Sequence, residues 1–219
     1  MTPAEAAAGL LAAARAGEPI DEQRLMAVAP DLFASDAARG AFWTNVYHAV
    51  VLDRVRQGVL TSSVKRTPGF FAATLVNVGG RPISLHGIEH GLLRCNRPAP
   101  WSFWRPLRPS DPRVAWMLAV FDPRIHFALN CGARSCPPIA AYDEARWHAQ
   151  LDLATASYLA TEARAEGEAV VLPALMRLYA RDFPDPRAFA AQHATTPVRA
   201  RLLAGAPVRW GTYDWTIGG

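Results

Sequence analysis

The sequence predicts an α+β fold: a predominantly helical single domain around a small, mainly antiparallel sheet. Three observations lead there. The longest periodic segments have helical spacing and caps, the strand-like runs are few and short, and those runs are often joined by tight turns rather than by the long crossover helices of a doubly wound sheet. At 219 residues, with 51% hydrophobic and 19% charged side chains, the chain is too apolar to be disordered and long enough to bury roughly 70% of its unfolded surface. One domain over 1–219 is expected, with residues 1–34 as an N-terminal helical extension.

The elements follow in order. Pro3–Ala16 reads as an Ala-rich helix ended by Gly17. A stronger helix runs from about Ser35 to Gln57. Ser35 or Asp36 caps it, Phe42, Val46, Ala49, Val50 and Leu52 fall near one face, and Gly58 follows the last turn. Thr74–Val78 and Arg81–Ser84 flank Gly79-Gly80, the signature of a hairpin whose two turn residues need positive φ. Ser84 caps a short helix through Arg94. Asn96–Pro112, with five prolines and two tryptophans, is an irregular crossing. A helix is expected from Ser110 through Val120, with Pro112 near its first turn. Ile125–Leu129 reads as a short buried strand. Asp143 caps a helix to about Ala163, Ala169–Leu172 is a short strand, three helical stretches fill Pro173–Ala204, and Val208–Ile217 closes the chain as a strand or hairpin.

The net charge of +4 is nearly all arginine, since Lys65 is the lone lysine. No run of five like charges marks a nucleic-acid arm, and no apolar run approaches the roughly 20 residues of a membrane span. The start Met1–Glu5 lacks the basic region of a signal peptide, so a soluble, cytoplasmic protein is the default, exported if a leader preceded Met1. Three cysteines in a chain of this size argue against a disulfide scaffold. Phosphate-loop, dinucleotide and serine-elbow motifs are all missing from the sequence, and no cofactor is expected.

Chemistry concentrates between Asp122 and Pro138. A strand ending in Asn130-Cys131-Gly132 and passing into a tight loop holds polar groups on a rigid support. On such a strand His126 and Asn130 share a face, with Cys131 opposite unless the chain bends. Arg134 lies close in sequence to Cys131 and Cys136, where a guanidinium would lower a thiol pKa. The bland alternative is that both cysteines are small core hydrophobes. A second cluster, His86-Gly-Ile-Glu89-His90, has the H-x-x-E-H spacing of some zinc peptidases, but the helix is short and weakened by Gly87 and Gly91. Third, Asn45 in mid-helix implies a side-chain hydrogen bond, structural or orienting.

Taken together, Phe42-Trp43-x-Asn45-x-Tyr47, Ile83-Ser84-Leu85-x-x-Ile88-Glu89-His90-Gly91-x-Leu93-Arg94, and Asp122-Pro-Arg-Ile-His126-Phe-Ala-Leu-Asn-Cys131-Gly-Ala-x-Ser135-Cys136-Pro-Pro138 resemble the domain-of-unknown-function 547 family. Tyr142 and Tyr213-Asp214-Trp215 fit as well, and the resemblance spans about residues 42 to 215. It brings no activity, but it implicates Asn45, Glu89, His90, His126, Cys131 and Cys136, and it implies export for many members. His48 stands where Asn is usual and His86 where an acidic residue is usual.

The favoured expectation is a thiol-dependent hydrolase or transferase acting on a small molecule or peptide. Cys131 is the preferred nucleophile and Cys136 the alternative or a resolving thiol. His126 or His90 is the base, oriented by Glu89 or Asn45. Arg134, Ser135, Asn130 and Gly132 form the substrate-binding loop, and the N–H groups of Gly132–Arg134 make an oxyanion site. The alternative is a non-catalytic binding or scaffold module whose polar motif is a core network. A zinc site using His86 and His90 with His126 and the cysteines ranks third.

Overall fold

The computed structural model describes residues 1–218; Gly219, the last residue of the expected domain, lies outside them. Helix α1 (Pro3–Arg15) opens on a capping box in which Thr2 and Glu5 satisfy each other's backbone N–H groups. It lies along α2 (Asp36–Arg56) and adds Ala7, Leu10 and Leu11 to the same core. Ser35 caps α2 by accepting the Ala38 N–H. The single apolar face expected of α2 is too narrow a description. Every residue from Gly40 to Val51 is buried, Trp43 and Tyr47 included, whereas Leu52 is only half-buried. Alpha-helix α2 is thus the central rod of the larger core.

A short helix α3 (Phe70–Ala73) precedes β1 (Leu75–Val78) and β2 (Arg81–Ser84), which form the expected antiparallel hairpin. Gly79 and Gly80 occupy its turn with φ of 57° and 72°. The segment Gly87–Leu93 is helical but wound as a π-helix, a wide-turned form that often sits at functional sites.

Two expectations are corrected here. The helix expected from Ser110 to Val120 shrinks to a 3-10 turn at Pro112–Trp116, started by Asp111 accepting the Arg113 N–H. Ile125–Leu129 is not a strand. Pro123–Phe127 forms a 3-10 turn, because Asp122 accepts the Arg124 N–H and Pro123 presets the first helical φ. Its apolar run is buried by packing on all sides, without a ladder.

Helix α4 (Trp147–Glu162) follows, with Asp143 accepting the Arg146 N–H just before it. A strand not anticipated, β3 (Arg164–Glu166), pairs antiparallel with β4 (Ala169–Leu172), which pairs in parallel with β5 (Val208–Trp210). Between them lie α5 (Ala174–Leu178), α6 (Pro186–His193) and α7 (Thr196–Leu203). The chain is α+β and mainly helical, as its sequence predicts.

Apolar side chains gather into two clusters, one around α1, α2 and the hairpin, the other around α5 to α7. The 3-10 turn gives Ile125 to the first and Phe127 to the second, and α4 likewise divides Leu151 from Leu159.

Helix α4 docks on α2 through Trp147, and Gly40 makes room for it. A Cβ at Gly40 would lie 2.4 Å from the Trp147 ring. Gly40→Ala adds helix propensity of about 1 kcal/mol but overpacks this contact by about 1–3 kcal/mol. The variant is expected to be less stable than wild type by urea unfolding; an unchanged or raised midpoint would contradict the packing argument.

Candidate functional site

A cavity of about 650 Å³ opens where the two clusters meet. Glu89 and His90 reach it from the π-helical segment, His126 from the 3-10 turn, Cys131 and Cys136 from the following loop, Tyr179 from the end of α5, and Tyr213 from the closing segment. The rest of its wall is mainly apolar, with Phe70, Leu175 and Trp215 among its members.

The thiols are adjacent and free, with Sγ atoms 2.7 Å apart. Three donors converge on Cys136: the Cys131 N–H at 3.0 Å, the Cys131 thiol, and the Tyr213 hydroxyl at 3.2 Å. Burial opposes ionisation of Cys136, yet the hydrogen bonds from Cys131 and Tyr213 outweigh it and hold its pKa below the ordinary thiol value. Cys131 shifts the other way, raised by its hydrogen bond to Cys136 and then by burial. Tyr213, raised by burial and the nearby sulfurs, stays protonated and donates. Cys95 lies apart, its thiol donating to the Leu118 carbonyl, and burial pushes its pKa up to about 11.

The loop that carries the thiols is strapped by the end of the chain. Arg134 N–H donates to the Thr216 carbonyl, Ser135 N–H to the Asp214 carbonyl, and Asp214 N–H to the Ser135 hydroxyl. Asn130 braces the loop internally, accepting the Gly132 N–H and donating to the Pro137 carbonyl at 2.7 Å each. These contacts occupy two of the three N–H groups of the expected oxyanion site, those of Gly132 and Arg134, while the Ala133 N–H bears on the thiols and helps to lower the Cys136 pKa. Asn130, Gly132, Arg134 and Ser135 build the loop and do not line the cavity, and Arg134 points into solvent. Asn45 is likewise absent from the wall: it clamps the Tyr142 backbone, donating to its carbonyl at 2.8 Å and accepting its N–H at 2.9 Å. His48 accepts the Asn130 N–H through Nε2 at 3.2 Å.

On the opposite side the polar groups form one network. Asp182, buried, accepts Arg94 at 2.6 and 2.8 Å, Arg97 at 3.2 Å and the His126 Nε2–H at 2.8 Å. Burial raises the Asp182 pKa, but His126 and Arg94 more than offset that and keep it ionised. A carboxylate only accepts, so the His126 proton sits on Nε2. Arg94 also donates to His90 Nδ1 at 2.8 Å. Arginine only donates, so His90 carries its proton on Nε2. The 3.5 Å approach of His90 Nδ1 to Glu89 is therefore a meeting of two acceptors, not an ion pair. Burial lowers the pKa of His126 and pushes that of His90 down to about 4.

Glu89 accepts the Tyr179 hydroxyl at 2.5 Å and the Tyr47 hydroxyl at 3.3 Å. Burial resists its ionisation, but the hydrogen bond from the Tyr179 hydroxyl and the charge of Arg94 hold it below the usual carboxylate range. His86 and His90 meet edge to face, 4.5 Å between ring centres, but among the described residues no three His, Cys, Asp or Glu side chains converge as a metal-ligand group.

Five of the six residues expected to carry chemistry, Glu89, His90, His126, Cys131 and Cys136, thus share one cavity. The sequence reading missed Asp182, Tyr179 and Tyr213 as working parts. Tyr213 stood in the quoted family pattern but had no assigned role. Asp182, in Arg-Asp-Phe-Pro, looks like an ordinary turn carboxylate, and nothing nearby marks it.

A mainly helical α+β domain with a dithiol, three imidazoles (His86, His90 and His126) and a carboxylate on one cavity is what the fold and site define. Residues 33–159, more than half of the chain, match DUF547, described as a protein of unknown function. The chain belongs to that family. No curated protein and no solved structure matches it. The match ends before Tyr179, Asp182 and Tyr213.

Two outcomes follow. Asp182→Ala leaves Arg94 buried without its counter-charge and should cost about 3–5 kcal/mol by chemical denaturation; a cost under about 1 kcal/mol would mean the network is not a support. Burial also pushes His48 down to about 4. Between about pH 6.5, the unfolded value, and about pH 4, the unfolded chain takes up protons that folded His48 and His90 refuse. Stability, complete above about pH 6.5, should therefore fall as pH drops toward 4, by about 1 kcal/mol per unit for each histidine. Urea unfolding at stepped pH reads this directly; a flat profile would contradict neutral, buried imidazoles.

Proposed function

We propose that this cavity is the active site of a thiol-dependent hydrolase or transferase in which Cys136, not Cys131, is the nucleophile. The observation that carries the reading is the convergence of three donors on Cys136 Sγ at the wall of the cavity. Such donors stabilise the thiolate, the reactive form. Cys131 serves as its hydrogen-bond partner, which explains why one thiol is pulled down in pKa and the other driven up.

In this reading Cys136 Sγ attacks a carbonyl carbon, forming a C–S bond. The carbonyl re-forms as the bond from its carbon to the leaving group breaks, and the leaving group departs as an anion that takes its proton from water. His126, held by Asp182 through Nε2, offers Nδ1 as the base that then activates water or an acceptor nucleophile for release from sulfur. His90, with its proton on Nε2, is a donor for developing negative charge rather than a base. The mainly apolar wall suits a substrate with a hydrocarbon or aromatic portion.

A second reading has its own support in the 2.7 Å approach of the two sulfurs. Cys136 would attack one sulfur of a substrate disulfide, and Cys131 would resolve the mixed disulfide, leaving a Cys131–Cys136 bond and a reduced substrate.

Iodoacetamide labelling with mass-spectrometric mapping tests the site. Cys136 should label first near neutral pH, Cys95 last, and Tyr213→Phe should slow labelling of Cys136 several-fold by removing one donor. On a panel of activated esters and thioesters, Cys136→Ala should lower turnover by at least about 100-fold, while Cys131→Ala keeps a measurable fraction. Thiols inert in the folded protein would leave the polar cluster as a structural network in a binding module. Loss of two hydrogens on exposure to a small disulfide, without acyl turnover, would favour the redox reading.

A further inference from the structure

The segment between Arg97 and Ser110 is a stiff loop, anchored by buried Ala99 and Leu107 and exposed at Trp101 and from Phe103 to Arg105. Asn96 closes its base, donating to the Leu107 carbonyl and accepting the Leu107 N–H at 2.9 Å each, and Leu107 is buried. Pro98, Pro100, Pro106 and Pro109 restrict the backbone, and the Ser102 hydroxyl accepts the Trp104 N–H at 3.0 Å. Arg181 braces it from α5's trailing turn, donating to the Ser102 carbonyl at 3.1 Å with its guanidinium 5.1 Å from the Phe103 ring.

What this rigid loop displays is unusual for a free surface. Trp101, Phe103 and Trp104 are 68%, 83% and 85% exposed. The charges around them are of one sign: Arg97, Arg105, Arg108 and Arg181 are exposed, and the sequence from Asn96 to Ser110 holds no Asp or Glu. Among the described residues neither Arg105 nor Arg108 forms an ion pair.

We propose that this loop docks the protein on an anionic lipid bilayer. Exposed tryptophan and phenylalanine insert at the level of the headgroups, where an amphipathic ring is better placed than in water. Arginines beside them meet anionic headgroups, and each contributes to surface attraction within a screening length. The proline-stiffened, hydrogen-bonded loop is already ordered, so little conformational entropy is lost on docking. A protein partner is less well matched, because exposed rings among charges of one sign offer no mixed polar rim. No helix among the described residues is long and apolar enough to cross a membrane. Trp101 also lines the cavity, which places the docked surface beside its rim. The proposal stands apart from the thiol chemistry.

The test uses the full chain with vesicles of phosphatidylcholine alone and with added phosphatidylglycerol, read by co-sedimentation and by the blue shift of tryptophan fluorescence. Binding is expected to the phosphatidylglycerol vesicles and to weaken with salt. Phe103→Ser with Trp104→Ser should lower partitioning about tenfold or more, and Arg105→Glu with Arg108→Glu about tenfold or more. Circular dichroism confirms that both variants fold. No binding by wild type overturns the proposal, as does binding that both variants retain. A dimer in sedimentation velocity that the aromatic variant dissolves, without vesicle binding, assigns the loop to self-association instead.

Discussion

Asp182 is a single carboxylate, buried and answered by donors from two separate parts of the chain, Arg94 with Arg97 and, farther on, His126. Taking a carboxylate out of water costs several kcal/mol unless its lone pairs are filled, so the fold is committed to delivering Arg94 and His126 to it. That requirement joins the π-helical segment, the 3-10 turn and the stretch after α5. It also fixes protons: with Asp182 ionised, His126 must carry its hydrogen on Nε2, and with Arg94 shared, His90 must accept on Nδ1. His90 and His126 thereby leave opposite atoms unengaged by this network, a donor N–H on one and an acceptor nitrogen on the other, without any difference in residue type.

The thiols obey a parallel constraint. The closing segment straps the loop after Asn130 through backbone bonds at Arg134 and Ser135, and the same segment carries Tyr213 to the sulfurs. Because the loop folds back so that the Cys131 N–H meets Cys136 Sγ, the symmetry of two identical thiols is broken. One becomes donor and the other acceptor. The Gly132 and Arg134 amides are consumed in holding that geometry, which is why they are unavailable to a ligand.

Much of this was legible in the sequence, for identifiable reasons. The Ser35 cap of α2 and the Gly79-Gly80 hairpin rest on local chemistry that tertiary context did not override. The co-location of Glu89, His90, His126, Cys131 and Cys136 was legible because the polar residues sit in two short motifs whose neighbours are apolar. Ile125–Leu129 misled because a short apolar run looks alike in a strand and in a buried 3-10 turn; the deciding signal was Asp122-Pro123, which starts a turn. Asn45 was read correctly as hydrogen-bonded, but periodicity could not say that its partner is the Tyr142 backbone. Asp182 and Tyr213 were not assignable because their significance is entirely tertiary, lying 56 and 77 residues from His126 and Cys136.

The arrangement has a common logic in which each polar group on the cavity is held by a partner. Tyr47 and Tyr179, both driven up in pKa by burial and by Glu89, stay protonated and hold that carboxylate. Arg94 holds His90, Asp182 holds His126, and Cys131 with Tyr213 holds Cys136. Groups fixed this way need no reorganisation when a ligand enters, and in a mainly apolar cavity their fields are weakly screened. The same seam between two cores explains why the cavity exists. Side chains of α2 and of α5 each complete their own cluster, so the space between them is walled by hydrocarbon but filled by neither.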